Sequence, residues 1–376
     1  QVSAYTLPTA DGTSGQLLQT DGAGAVTFVD FSGSPWTTSG NDIYYTTGNV
    51  GIGTTTPGQP LHVDGNIKTT GSLLYGSNHR VAQASNGGIY IGQTTSANFA
   101  NAGVVVGNNA GRFNSGQGNI GIGPNAGYRG SYSNYQVAVG NDSNSGASAY
   151  VKSNSIGIGR NSNYNGSTNT TSVGANTGAN SPSSYTNSAF FGHQAGHSGG
   201  NNSVFVGYEA GKSDGVQTVD NTVAVGYQAL TALTTGARNT AVGYQAGAAV
   251  TSGAALTTIG YGAGDAIANG TFSVAIGEYA LSASTTPAYT VAIGAQALEN
   301  STSGDSSVVI GFRAGESNNG DNNVLIGREA GQVGDGSSNI FIGYQAGKSE
   351  TGSNKLYIEN SNSTTPLIYG EFDNDI

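Results

Sequence analysis

The sequence predicts an all-β chain whose body is a parallel β-solenoid. Three observations predict it: a motif that recurs about every 17 residues, a glycine that keeps its place in that motif, and a composition that opposes long helices. The motif reads SVFVGYEAG from Ser203, TVAVGYQAL from Thr222, TAVGYQAG from Thr240, SVAIGEYAL from Ser273, TVAIGAQAL from Thr290 and NIFIGYQAG from Asn339. Its glycine can be followed from Gly92 through Gly107, Gly123, Gly140 and onward to Gly343, and five successive steps from Gly226 to Gly311 are each 17 residues. Gly, Ser, Thr and Asn make up about half of the chain, residues that lose much backbone entropy in a helix or compete for its hydrogen bonds.

A unit of this length cannot bury an apolar face alone, but it can form one coil in which each strand pairs with its equivalent one coil away. About sixteen coils are expected, stacked at roughly 4.8 Å each. From the N-terminus, residues 1–40 read as a small β module, with Asp-Gly turns at Asp11 and Asp21 between short apolar runs. Residues 41–85 form a connector, broken by Pro57 and Pro60. Residues 86–350 are the solenoid shaft, and residues 351–376 supply two strands that close the last coil.

Within the repeat, the residue before the glycine is large and apolar: Val206, Val225, Val242, Ile259, Ile276, Ile293, Ile310, Ile326 and Ile342. Period-two alternation places this row, and the row two residues earlier, inside the coil. The residue between them varies from Gly121, Ala138, Gly157 and Ala224 to Phe190, Phe205, Val309, Leu325 and Phe341. On this reading it lies on a second apolar face that three copies around an axis would cover, so an elongated homotrimer is expected. The glycine is expected to supply a positive-φ corner and the alanine three residues later a small inward side chain. Asn119, Asn187, Asn202, Asn221, Asn323 and Asn339 are placed to hydrogen-bond from coil to coil.

Charge and composition narrow the function. The net charge of −10 offers no basic stripe for phosphates, which points away from nucleic acid. No segment has the length and apolarity of a membrane span, so membrane insertion is not expected. There is no Cys for a disulfide or thiolate site. The Gln1 start and the absence of Met point to an exported chain whose signal peptide was removed, or to a fragment.

The segments NTVAVGYQAL, FSVAIGEYAL and YTVAIGAQAL resemble the head repeats of YadA-like trimeric adhesins. The flanks LPTADGTSGQLLQTDGAG, GNVGIGTTTPGQPLHV and KLYIEN with PLIYGEF are similar to segments of phage tail fibres and secreted bacterial fibre proteins that carry an endosialidase-type intramolecular chaperone domain. The resemblance implies a β-roll trimer on a cell surface or virion that attaches to a surface, host receptor or glycan. A bacterial adhesin and a phage tail or head fibre are both compatible with it, and a polysaccharide-cleaving tailspike is the alternative of another class.

Four groups of residues are candidate sites. Tyr208, Tyr227, Tyr244 and Tyr261 follow the glycine in four successive coils and are expected to stack as an aromatic ladder, either as a ligand-binding platform for carbohydrate or as shaft packing. GYEAGKS and GYQAGKS, ending in Lys212-Ser213 and Lys348-Ser349, lack the spacing of a phosphate loop. His193 and His197 are four apart with no carboxylate beside them, which favours a surface pair over a metal site. Glu209 and Glu329 are many coils apart, and Asp214, Asp321 and Asp335 fall in turns, so no catalytic pair emerges and no cofactor is implied.

Overall fold

The computed structural model describes residues 5–30, 36–39, 42–45, 48–67, 73–75, 79–83, 89–92, 103–111, 117–128, 134–145, 153–164, 167–179, 185–212 and 219–373. These residues are all-β with no helix, and the chain divides into two compact units, Gln1–Thr70 and Gly71–Ile376.

In the first unit, strand Gln16–Thr20 pairs antiparallel with Val26–Asp30. Their turn is organised by Asp21, whose Oδ1 accepts the backbone N–H of Ala23 at 2.8 Å and of Ala25 at 3.0 Å, as a short acidic side chain in a turn does. Thr37–Ser39 pairs antiparallel with Asp42–Tyr44, and Val50–Ile52 pairs parallel with Leu61–Val63.

The second unit is a parallel β-solenoid of about 13 turns. Of the sixteen coils expected, part of the early end falls on residues 93–102 and 112–116, outside the described residues. Three-residue strands stack in strict register: Val204 opposite Val223, Ala224 opposite Ala241, Val242 opposite Ile259, and so on up to Ile340–Ile342. Both ends of the ladder switch direction. At the start, Leu73–Tyr75, His79–Gln83 and Ile89–Gly92 pair antiparallel. At the finish, Lys355–Ile358 adds a last parallel rung and Ile368–Glu371 folds back antiparallel upon it.

The corners follow from residue type. Gly226 has φ 137°, and a Cβ there would collide with the carbonyl of Gly243 in the next coil, so the repeat glycine supplies both the turn and the close approach of coils. A second corner passes through the left-handed region at Asn154, Asn169, Asn187 and Asn202, where asparagine is tolerated best among residues with a side chain. Their amides form a ladder, each Nδ2 donating to the next Oδ1 at 3.1, 3.0 and 3.2 Å.

The two faces of the strand are the reverse of the sequence expectation. The central residue is the one inside: Ala224, Phe190, Phe205, Val309, Leu325 and Phe341 are all fully buried. The flanking Val and Ile rows point outward, with Val242 at 37% and Ile259, Ile310, Ile326 and Ile342 each at 36% exposure. The reason is the width of the coil. A three-residue strand sends a single side chain into a thin interior, and alternation then puts its two neighbours outside.

In several coils a large centre is matched by a glycine six residues on and a small centre by a leucine, while Ala241 with Gly247 and Gly121 with Gly127 are small at both positions, and Leu230 of the preceding coil and Val250 reach against Gly247. Where the centre is Phe190, Phe205, Leu325 or Phe341, the sixth residue on is Gly196, Gly211, Gly331 or Gly347. Where the centre is Ala224, Ala275 or Ala292, that residue is Leu230, Leu281 or Leu298, fully buried in each case. The alanine three after the repeat glycine, as in Ala210, Ala229 and Ala246, is fully buried as expected. Each large buried side chain contributes roughly 1.5–3 kcal/mol.

Candidate functional site

The strand and its glycine corner place the next residue at the coil surface, so one position of the repeat becomes a row along the solenoid. Tyr208, Tyr227, Tyr244 and Tyr261 occupy this row. Their ring centroids are 5.2, 5.1 and 4.9 Å apart, with interplanar angles of 9°, 6° and 7°. His193 continues the stack below Tyr208 at 5.3 Å and 15°, and Tyr279 closes it with an edge against Tyr261 at 5.3 Å. Each of the four tyrosines is nevertheless between 41% and 48% exposed.

The spacing is built into the backbone. Gln228 N–H donates to the Tyr208 carbonyl at 2.8 Å, Gln245 N–H to that of Tyr227 at 2.8 Å, and Gly262 N–H to that of Tyr244 at 2.9 Å. Beside the rings runs a side-chain ladder in which Gln228 Nε2 donates to Glu209 Oε2 at 2.8 Å and Gln245 Nε2 to Gln228 Oε1 at 3.2 Å. Burial pushes the Glu209 carboxyl up, but hydrogen bonds from Gln228 and Lys212 outweigh it and hold the group below the usual carboxylate range.

Further along the same row, Arg328 sits between two rings, its guanidinium carbon 5.7 Å from the centroid of Phe312 and 5.7 Å from that of Tyr344. His193, Phe312, Arg328 and Tyr344 stand in the same column after the repeat glycine, which is the sequence signal for their place in this row. A separate pair, Phe272 and Tyr289, stacks at 5.5 Å and 5° on the left-handed corner, with φ 51° and 57° and exposures of 55% and 63%. Their signal in sequence was an aromatic residue where other coils carry Asn.

The remaining candidates have structural partners. Lys212 pairs with Glu209 at 3.0 Å and Lys348 with Glu329 at 2.5 Å, so both lysines of the GKS segments brace a corner. Arg328 and Gln345 also reach Glu329, and the hydrogen bonds from Lys348 and Gln345 hold its carboxyl at about 2. Asp321 Oδ1 accepts the Asp305 N–H and Asp335 Oδ1 accepts Asn319 Nδ2, while Asp214 lies outside the described residues. His193 belongs to the ring stack, and among the described residues no group of three His, Cys, Asp or Glu is arranged to hold a metal ion. No family model, curated protein or solved structure matches this chain.

Proposed function

We propose that the chain is a non-enzymatic extracellular fibre, on a bacterial cell surface or a virion, whose shaft of about sixteen coils assembles as a homotrimer and mediates attachment to a surface or receptor. The observation that carries this reading is the outer strand face. Two parallel rows, mostly Val and Ile but with Thr171, Ala189, Thr240 and Thr257 in one and Phe191 in the other, stand partly exposed from Val104 to Ile342. Monomeric proteins rarely present a contiguous apolar strip of such length, and three copies of a repeat can cover it with the same residues on each. The resemblance to YadA-like heads and to tail-fibre segments favours the same assembly. The carboxylates Glu209, Glu316 and Glu329 are tied into ion pairs with Lys212, Arg313 and Lys348, which favours a mechanical role for them over acid–base chemistry.

The test is the mass of the chain in solution by light scattering, taken with electron-microscope images of single particles. A threefold mass is expected. A monodisperse monomer at micromolar concentration would remove the reading.

A further inference from the structure

We propose that the row from His193 through Tyr208, Tyr227, Tyr244 and Tyr261 is a track for one extended, neutral, β-1,4-linked glycan lying along the solenoid axis, with one sugar ring per coil. The inference rests on the attachment-fibre reading and names the ligand class of that fibre.

The first argument is geometric. Each of the four tyrosine rings has both sides taken by neighbours: His193 and Tyr227 flank Tyr208, Tyr208 and Tyr244 flank Tyr227, Tyr227 and Tyr261 flank Tyr244, and Tyr244 and Tyr279 flank Tyr261. With the faces covered, what remains exposed on each ring is its outer edge. The row therefore offers a comb of phenol hydroxyls rather than the flat ring faces on which single sugars stack, with that of Tyr208 hydrogen-bonded to Glu209 and that of Tyr261 to Tyr279, each keeping further acceptor positions.

The second argument is periodicity. The comb repeats every 4.9–5.2 Å, a length of the same order as one pyranose unit in an extended β-1,4-linked chain. A glycan of that geometry meets a hydroxyl at each sugar without bending, whereas a helically coiled α-linked chain meets one and loses the next. Weak contacts then add along the chain, since every sugar after the first binds as part of an already held ligand.

Rigidity and charge complete the case. The coil-to-coil bonds to the Tyr208, Tyr227 and Tyr244 carbonyls fix the spacing before any ligand arrives, which lowers the ordering cost of binding. Glu209 beside the lower part of the row is balanced by Lys212, while Glu278 takes the equivalent position one coil above Tyr261, on a chain of net charge −10. This field disfavours sulfated, sialylated or uronic-acid polymers and leaves neutral glycans as the matching class.

The experiment titrates the full chain with cellobiose, cellohexaose, chitohexaose and polysialic acid by calorimetry. It compares the native protein with the variant carrying Tyr208→Phe, Tyr227→Phe, Tyr244→Phe and Tyr261→Phe. That variant keeps the ring stack and removes only the hydroxyls, and unchanged mass and melting show that it is folded. The expected result is binding of at least one neutral hexasaccharide at least tenfold tighter than cellobiose, at least tenfold weaker in the variant, and no binding of polysialic acid. Failure of the native protein to bind either hexasaccharide, equal binding by the variant, or preference for polysialic acid overturns the track. A trimer that binds neither hexasaccharide leaves the fibre reading intact, while a monomer removes that reading whichever way the titration falls.

Discussion

Gly211 lies directly against the ring of Phe205: a Cβ at Gly211 would stand 2.7 Å from Phe205 Cδ1, and its φ of 56° is the left-handed value that Leu230 adopts at 51° in the next coil. The two coils thus solve one packing problem in opposite ways, with Phe and Gly in one and Ala and Leu in the other.

That relationship predicts a rescue. Phe205→Ala is expected to destabilise by about 3–5 kcal/mol through the cavity it leaves, and Gly211→Leu by about 1–3 kcal/mol or more through overpacking. Together they rebuild the Ala224 and Leu230 pair, so the double variant should be more stable than either single one. A double-mutant cycle from denaturant unfolding measures the coupling, and additive losses would refute the compensation.

Asn323 is a buried amide of the shaft with hydrogen-bond partners in its own coil and the next. Its Nδ2 donates to Asn318 Oδ1 at 3.0 Å and to the carbonyls of Gly320 and Gly336 at 2.9 Å, and its Oδ1 accepts the Asn339 N–H at 2.8 Å. Asn323→Leu should leave these groups buried without partners and cost about 2–4 kcal/mol. Hydrogen exchange should then show faster opening at the Asn339 amide than in Asn202→Ala, which removes a single exposed amide contact.

The corner at Glu329 makes part of the stability acid-sensitive. Its carboxyl is held at about 2 in the folded chain against an ordinary value of 4.5. A depressed folded value means the contribution is complete above about 4.5 and is lost as pH falls through about 2. Melting temperature followed from pH 6 down to pH 2 should therefore decline less steeply in Glu329→Gln than in the native chain. Parallel curves would exclude the carboxylate as the cause.

The outer strand face gives a prediction for assembly. Ile276→Lys combined with Ile293→Lys adds two like charges on successive coils of the proposed seam while leaving the coil interior untouched. The variant should keep its β-sheet circular dichroism and require at least tenfold more protein to reach the threefold mass. An unchanged mass profile would place the seam elsewhere.

Much of this fold was legible before any coordinates. The repeat period, the glycine corner at Gly226, the inward Ala229 and the amide contact between Asn187 and Asn202 all follow from local residue chemistry. The direction of the strand faces did not. Alternation constrains only relative facing, and Val225 and Ala224 are both acceptable in an interior. What points to the choice is that Ala224, Ala275 and Ala292 are followed six residues on by Leu while Phe190, Phe205 and Phe341 are followed by Gly, a correlation between two columns that Ala241 with Gly247 interrupts. The Tyr208 to Tyr261 stack was readable from the same column, whereas the covering of every ring face depends on Tyr279 turning its edge toward Tyr261, which no periodic argument supplies.

The reversal of strand direction at both ends of the ladder bears on how length is controlled. A stack of identical parallel coils would be its own template, and copies could add to it without limit, as in cross-β growth. Here Lys355–Ile358 is met by the antiparallel strand Ile368–Glu371 of the same chain, so the rung presented outward at that end runs against the direction that a further coil requires, whereas at the start the two reversals through His79–Gln83 return Leu73–Tyr75 to the coil direction. The number of rungs is then written in the gene rather than set by protein concentration, and the solenoid acts as a molecular ruler whose unit of change is the insertion or loss of a single repeat.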